Sequence, residues 1–263
     1  MDLFRFKEFS IRNEAAPMKI NTDSVLLGVC CSIFPEYRTI LDIGTGTGAV
    51  ALIAAQRLNK AQGGRPGRNG LLPGTGITGI DIDNAAAQEA SYNFAMSPWA
   101  ANMTAVHTSL ADFQSNFQSG NPQASQPGNA AGGTYDLIVS NPPYYDNLIK
   151  SQDERKRYAR HTDQLSYKDI LGYAGANLSE RGRVTMILPA ADKIAVLAEG
   201  SDKGLYLNRI TYIYPTEDRP ESRIITEFSR KRRPLESERL TVYRDGKYSI
   251  EYIKKTSELY CKF

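Results

Sequence analysis

The chain has 263 residues, of which 41% are hydrophobic, and a formal net charge of +3. That is enough apolar length for one large domain with additions, and a mild positive charge admits a polyanionic partner without requiring one. The 3 cysteines lack metal-ligand spacing or a disulfide framework, no run reaches the ~18 apolar residues of a membrane span, and residues 1–7 are too charged for a secretory signal; reduced thiols in a cytoplasm are the expectation.

In chain order, residues 4–12 alternate apolar and charged side chains, as a short strand or arm would. Thr22, Asp23 and Ser24 are expected to cap a helix through 25–29. Residues 39–43 read as a buried strand running into Gly44-Thr45-Gly46-Thr47-Gly48, followed by a helix over 49–58. Residues 60–76 form a Gly-rich insertion. A strand over 77–81, a helix over 84–96 capped by Asn84, and a strand near 104–106 come next. A second insertion, 115–133, is of low complexity. The strand 137–139 then delivers Asn141-Pro142-Pro143-Tyr144-Tyr145 to a sheet edge. After a charged connection (150–161) come a helix at 167–178 and strands at 183–188, 207–214 and 224–230. Alternating strands and helices predict a parallel α/β sheet covered on both faces, without repeats or a clear second-domain boundary.

Two stretches carry chemistry. Glycines after a strand and before a helix let backbone approach a ligand closely. Asp81, ending the next strand, is placed to accept bonds from two ribose hydroxyls; Asp83 competes for that role but reads better as a residue leading into the helix. The insertion explains why Asp81 lies further from the glycines than the usual ~20 residues. A dinucleotide fold is the rival reading, although its G-x-G-x-x-G differs from the G-x-G-x-G here. The other reading of the turn is a tight strand–helix corner without a ligand. At the second stretch, Asn141 can offer a side-chain oxygen and Pro142 a backbone carbonyl to the hydrogens of a planar amine. That favours a geometry in which its lone pair faces a methyl donor. Tyr144 offers a stacking face for a base, worth ~1–3 kcal/mol in nucleic-acid systems. The bland alternative is a proline-stiffened surface turn. No metal is required by a methyl sulfonium donor, and no His/Cys/Asp cluster suggests one.

Asn141–Tyr144 resembles the Asn-Pro-Pro-Tyr signature of amino-methyltransferases acting on adenine N6, cytosine N4 or protein glutamine. Residues 4–9, 18–28, 95–99 and 223–230 and the closing Tyr-rich segment narrow this. They look like bacterial tRNA1(Val) (adenine37-N6)-methyltransferases over nearly the whole chain, apart from the insertions. The resemblance implies a Rossmann-like class I methyltransferase of α/β class, with a mostly parallel seven-stranded sheet and helices on both faces. It would be a single domain over 1–263, with an N-terminal arm and helix (1–35), inserted loops at 60–76 and 115–133, and a C-terminal extension (234–263). The implied donor is S-adenosyl-L-methionine and the implied partner tRNA. Lys19, Asn21, Thr22 and Asp23 would line the methionine end, with Asp42, Gly44, Gly46, Asp81, Ile82 and Asn141 completing the donor site. The family often has an acid after the third strand, where this chain has Ser109. Ser109 with the Leu110 backbone is therefore the expected adenine contact, and Asp112 the runner-up.

Pro143, Tyr144, Tyr145 and Arg223, with the run Arg155-Lys156-Arg157, are the expected substrate contacts. The basic run Arg230-Lys231-Arg232-Arg233 is a further phosphate candidate, and either run could instead be solvated charge. His161 reads as a positioned surface residue. Other functions remain open: a protein-glutamine N5-methyltransferase, which usually carries a separate helical domain before the glycine turn, or a nucleoside-binding module, which would have no use for Asn141.

Overall fold

The structure, a computed structural model, describes residues 3–64, 70–118, 134–143 and 165–261. Tyr144, Tyr145, Arg155, Lys156, Arg157 and His161 lie outside the described residues.

β3 (Thr39–Ile43) is buried along its whole length and is the middle strand of the sheet's parallel portion. It pairs in parallel with β4 (Gly76–Asp81) on one side and β6 (Tyr135–Ser140) on the other. β5 (Met103–His107) continues the parallel set beyond β4, and β7 (Leu178–Pro189) beyond β6. β9 (Arg223–Ser229) then lies antiparallel between β7 and β8 (Tyr206–Thr216). β10 (Glu236–Arg244) pairs in parallel with β8, and β11 (Lys247–Tyr248) closes that edge. The order is β11-β10-β8-β9-β7-β6-β3-β4-β5, so among the described residues nine strands stand where seven were expected. β10 and β11 come from the segment read as a C-terminal extension. The N-terminal arm is a separate hairpin of β1 (Leu3–Arg5) and β2 (Ser10–Arg12).

Side-chain alternation along β3 divides the core in two. Ile40 joins Leu26 of α1 (Thr22–Cys30) and Leu52 of α2 (Ala49–Ala61) on one face. Leu41 and Ile43 join Ile170 and Leu171 of α5 (Tyr167–Asn177) on the other. The remaining α-helices among the described residues are α3 (Asn84–Ala95), α4 (Leu110–Gln118), α6 (Lys193–Asp202) and α7 (Ile250–Thr256). Two caps differ from expectation by one residue. Asn21 caps α1, reciprocally with Ser24, and Asp83 caps α3 by accepting from the Ala86 amide. Among the described residues no helix is long and apolar enough to cross a membrane.

Because β3, β4 and β6 are parallel, Gly44, Asp81 and Asn141 emerge at the same sheet edge. This is where ligands bind in doubly wound folds.

Candidate active site

A cleft of about 840 Å³ opens at that edge. Its floor is the glycine turn. The amides of Gly44 and Thr45 both donate to the Ile80 carbonyl at 2.9 Å, fastening the turn to β4. Gly44 and Gly46 have φ of 71° and 56°. A Cβ at Gly44 would stand 3.4 Å from Leu165 Cδ2, and one at Gly46 would stand 3.9 Å from the Met18 carbonyl. Side chains there would fill the space above the turn, which their absence keeps open for a ligand.

Asp81 stands half-buried beside this floor. Its Oδ2 accepts from the Gly46 amide at 2.8 Å and its Oδ1 from the Asp83 amide at 2.9 Å. Burial pushes its pKa up and Asp83's charge adds to that, while the two amides and His107 oppose it. Each oxygen still has a lone pair to offer, so the carboxylate suits a pair of ribose hydroxyls. The open turn and this acceptor pair fit a nucleoside donor.

Asp42, expected at the donor, lies beneath the turn and does not line the cleft. Its Oδ2 accepts from Thr45 Oγ1 at 2.8 Å and from the Ala51 amide at 3.2 Å. It therefore joins the turn to α2. Burial raises its pKa to about 7, against these two donors.

Of the N-terminal residues expected at the methionine end, Lys19 lines the cleft, while Asn21, Thr22 and Asp23 do not. Asn21 is occupied as the α1 cap. Asp23 pairs with Arg223, Oδ2 to Nε at 3.1 Å, linking the first turn of α1 to the start of β9. Lys19 Nζ donates to the Glu14 carbonyl.

Asn141 is half-buried at the end of β6, and the preceding Ser140 hydroxyl donates to the Ile43 carbonyl at 2.7 Å. Asn141 Nδ2 points to Met18 Sδ at 3.9 Å, and both residues line the cleft. Pro142 is buried and Pro143 is exposed at the cleft wall. Ile82, Ser109 and Leu110 line the far end. Ser109 and Asp112 cap α4 together: the Ser109 hydroxyl donates to Asp112 Oδ2 at 2.7 Å and accepts from the Asp112 amide at 3.0 Å. Ser109 faces the cleft and Asp112 does not.

Sequence reasoning missed the wall supplied by Leu165, Lys168 and Tyr173 at the start of α5 and within it. Those residues carry no local motif. It also placed Arg230–Arg233 among phosphate candidates, but β9 runs backwards. Its Arg223 end lies beside Pro189 at the active edge, and its Ser229 end beside Arg183 at the opposite one. Arg230 there donates to the Gly175 carbonyl and Lys231 pairs with Glu180 at 2.7 Å.

Solved structures share this fold. A predicted O-methyltransferase from Agrobacterium tumefaciens aligns with a TM-score of 0.60 at 16% identity, over 90% of this chain and 96% of that one. A methyltransferase from Pyrococcus furiosus aligns at 0.52 and 18%, over 84% and 90%. Sheet order and these likenesses show the α/β fold of class I methyltransferases. The family model described as Eco57I restriction-modification methylase matches residues 75–196. The tRNA1(Val) (adenine(37)-N6)-methyltransferase of Bacteroides fragilis is 34% identical over 262 residues, 98% of each chain. That of Flavobacterium johnsoniae is 34% identical over 262 residues, covering 99% of this chain and 100% of its own. The chain belongs to the tRNA1(Val) (adenine(37)-N6)-methyltransferase family.

Proposed function

We propose that the chain, acting as one methyltransferase domain in the cytoplasm, transfers the methyl group of S-adenosylmethionine to N6 of adenosine 37 in tRNA1(Val). The observation that carries this reading is Asn141 at the wall of the cleft that the glycine turn and Asp81 form. When bound, the donor would supply an electrophilic methyl on a sulfonium sulfur, a leaving group that takes the S–C electrons, and the methylated amine would release one proton to water.

The residues do the orienting. Asp81 holds the ribose, Ser109 and the Leu110 backbone meet the adenine, Ile82 packs beside them, and Lys19 and Met18 wall the methionine end. Gly44 and Gly46 let the backbone come close, while Asp42 stiffens the turn from below. The Asn141 side-chain oxygen and the Pro142 carbonyl accept from the target amine, turning its lone pair toward the methyl. Pro142 and Pro143 hold those acceptors in place before the substrate arrives, which is preorganisation rather than proton abstraction. Tyr144 offers a stacking face for the base and Tyr145 a second aromatic ring. Arg155, Lys156 and Arg157 hold flanking phosphates, and Arg223 holds the acidic first turn of α1 in register with the catalytic edge.

The test is incubation of the protein with the labelled donor and total tRNA, DNA or a glutamine-containing release factor, followed by nucleoside and peptide mass spectrometry. N6-methyladenosine in tRNA is expected. Asn141→Ala should keep donor binding and lose turnover by about a hundredfold or more, because the lost interaction belongs to the transition state. Normal single-turnover methylation by that variant would sink the amine mechanism. Label found only on protein glutamine would overturn the RNA assignment.

A further inference from the structure

The wall formed by residues 17–20 belongs to no helix or strand, yet Met18 stands within reach of Asn141. Its position is set from behind, by two buried polar side chains on α3. Three successive amides converge on Glu89. Those of Glu14 and Ala15 reach Oε1 at 2.7 and 2.8 Å, and that of Ala16 reaches Oε2 at 2.8 Å. The Glu89 side chain is 0% exposed. One turn later Asn93 accepts from the Arg12 amide at 2.7 Å and donates to the Arg12 and Thr47 carbonyls at 3.0 and 2.8 Å. The loop's own base is closed by the Ile20 amide on Asn13 Oδ1 at 2.9 Å.

Glutamate and asparagine four residues apart share one helix face, and here that face is turned inward. A buried carboxylate is tolerated only when its lone pairs are met, and three backbone donors make short, stiff, charge-assisted bonds. Neither side chain lines the cleft. Their bonds run instead to the two backbone segments that do: the loop leading to Met18 and Lys19, and Thr47 of the glycine turn.

We infer that Glu89 is a positioning residue for donor binding. Acting through residues 14–20, its carboxylate sets the spacing between the Met18–Lys19 wall and the glycine turn, while Asn93 ties the root of the loop to that turn. This rests on reading the cleft as the donor site.

Glu89→Gln keeps the length and turns an NH2 toward at least one of the three amides. Calorimetry should show S-adenosylmethionine affinity falling about tenfold, the equivalent of one charge-assisted hydrogen bond. At saturating donor, kcat should stay within about threefold of wild type. Met18→Ala should also weaken binding. The double variant should then bind within about twofold of the weaker single, since both act through one loop. Ser249→Ala is the stability control. It removes the α7 cap from a buried site remote in sequence from the cleft, and should lower the unfolding midpoint without moving donor affinity. Unchanged affinity in folded Glu89→Gln, or strictly additive losses with Met18→Ala, overturns the inference. If Glu89→Gln does not fold, Ala15→Pro removes one of the three donors at an exposed side chain and must weaken the donor severalfold; unchanged affinity there overturns the inference as well. Wild-type protein that binds no donor would instead overturn the reading of the cleft.

Discussion

Asp81 ends β4 and Asp42 is the last residue but one of neighbouring β3, and their different surroundings give them different work. Asp81 faces the cleft with its oxygens aligned by two amides, so the proposed ribose contact needs no reorganisation of the carboxylate. Asp81→Ala should weaken S-adenosylmethionine by about 1.5–3 kcal/mol, the worth of hydrogen bonds to a charged group, and leave the fold intact. Unchanged affinity by calorimetry would move the ribose contact to Asp83, although the Asp83 side chain already accepts from Ala86 as a helix cap. Asp42 is buried away from ligand, and both its donors reach the same oxygen. Asparagine can therefore keep both bonds. Burial holds the folded pKa near 7, above the ~3.9 of an unfolded aspartate. From about pH 4 to 7 the folded state keeps a proton that the unfolded chain has lost, so this group's contribution to stability falls as pH rises and levels off above 7. Asp42→Asn has no such loss. Its stability relative to wild type should rise between pH 5 and pH 8, by roughly 2.5 kcal/mol, since pH 5 lies about two pH units below the folded pKa. Urea denaturation at the two pH values measures this, and a difference that stays constant would rule out Asp42 as the titrating group.

At the scale of elements, Glu227 of β9 joins parts that sequence order keeps far apart. It pairs with Arg183 of β7 at 2.7 Å and Arg209 of β8 at 3.0 Å, and it accepts from the Ser32 amide beyond α1 at 2.9 Å. Arg209 also donates to the Cys30 carbonyl, at the end of α1. Glu227→Ala would leave two arginine charges facing each other without a carboxylate. It should cost about 3–5 kcal/mol of unfolding free energy, and chemical denaturation reads this directly. A loss under 1 kcal/mol, as for a surface pair, would show that water replaces the carboxylate. This network was not legible in the sequence, because its members look like ordinary charged residues on separate strands. The central strands were legible, because β3 is buried throughout and apolar apart from Thr39 and Asp42. β10 was not: only Leu240, Thr241 and Val242 are buried in it, between charged ends that read as surface. The caps slipped by one residue for a related reason. Asn21, Thr22, Asp23 and Ser24 are all capable of capping, and only the backbone geometry selects the first.

For the whole molecule, what the sequence showed of the site follows from how local each signal was. The glycine turn, Asp81 and Asn141 each follow an apolar strand directly, and parallel pairing brings them to one edge. Which charges share that edge depends on the reversal of β9, and no local pattern encodes it. The reversal bears on how tRNA is held. With a net charge of only +3, affinity for a polyanion must come from clustered charge rather than from the whole surface. Arg223 is at the active edge but paired with Asp23, and Arg230–Arg233 follow the end of β9 at the opposite edge. Arg155, Lys156 and Arg157, which follow Asn141 closely in sequence, remain the run expected to meet the phosphates that flank the target base. An anticodon-loop adenosine is already unpaired, so presenting it costs less than opening a duplex. Binding of tRNA, followed by fluorescence anisotropy across a salt series, should weaken steeply with ionic strength. Reversing the charge of all three residues should flatten the log–log slope by roughly 2 units, the counterions released by about three contacts to single-stranded RNA. The same reversal at Arg232 and Arg233 should leave the slope unchanged, and neither change should alter donor affinity. If the Arg232–Arg233 reversal flattens the slope instead, the RNA lies across the far edge of the sheet, and its target base must reach Asn141 around the molecule rather than directly from the phosphates beside it.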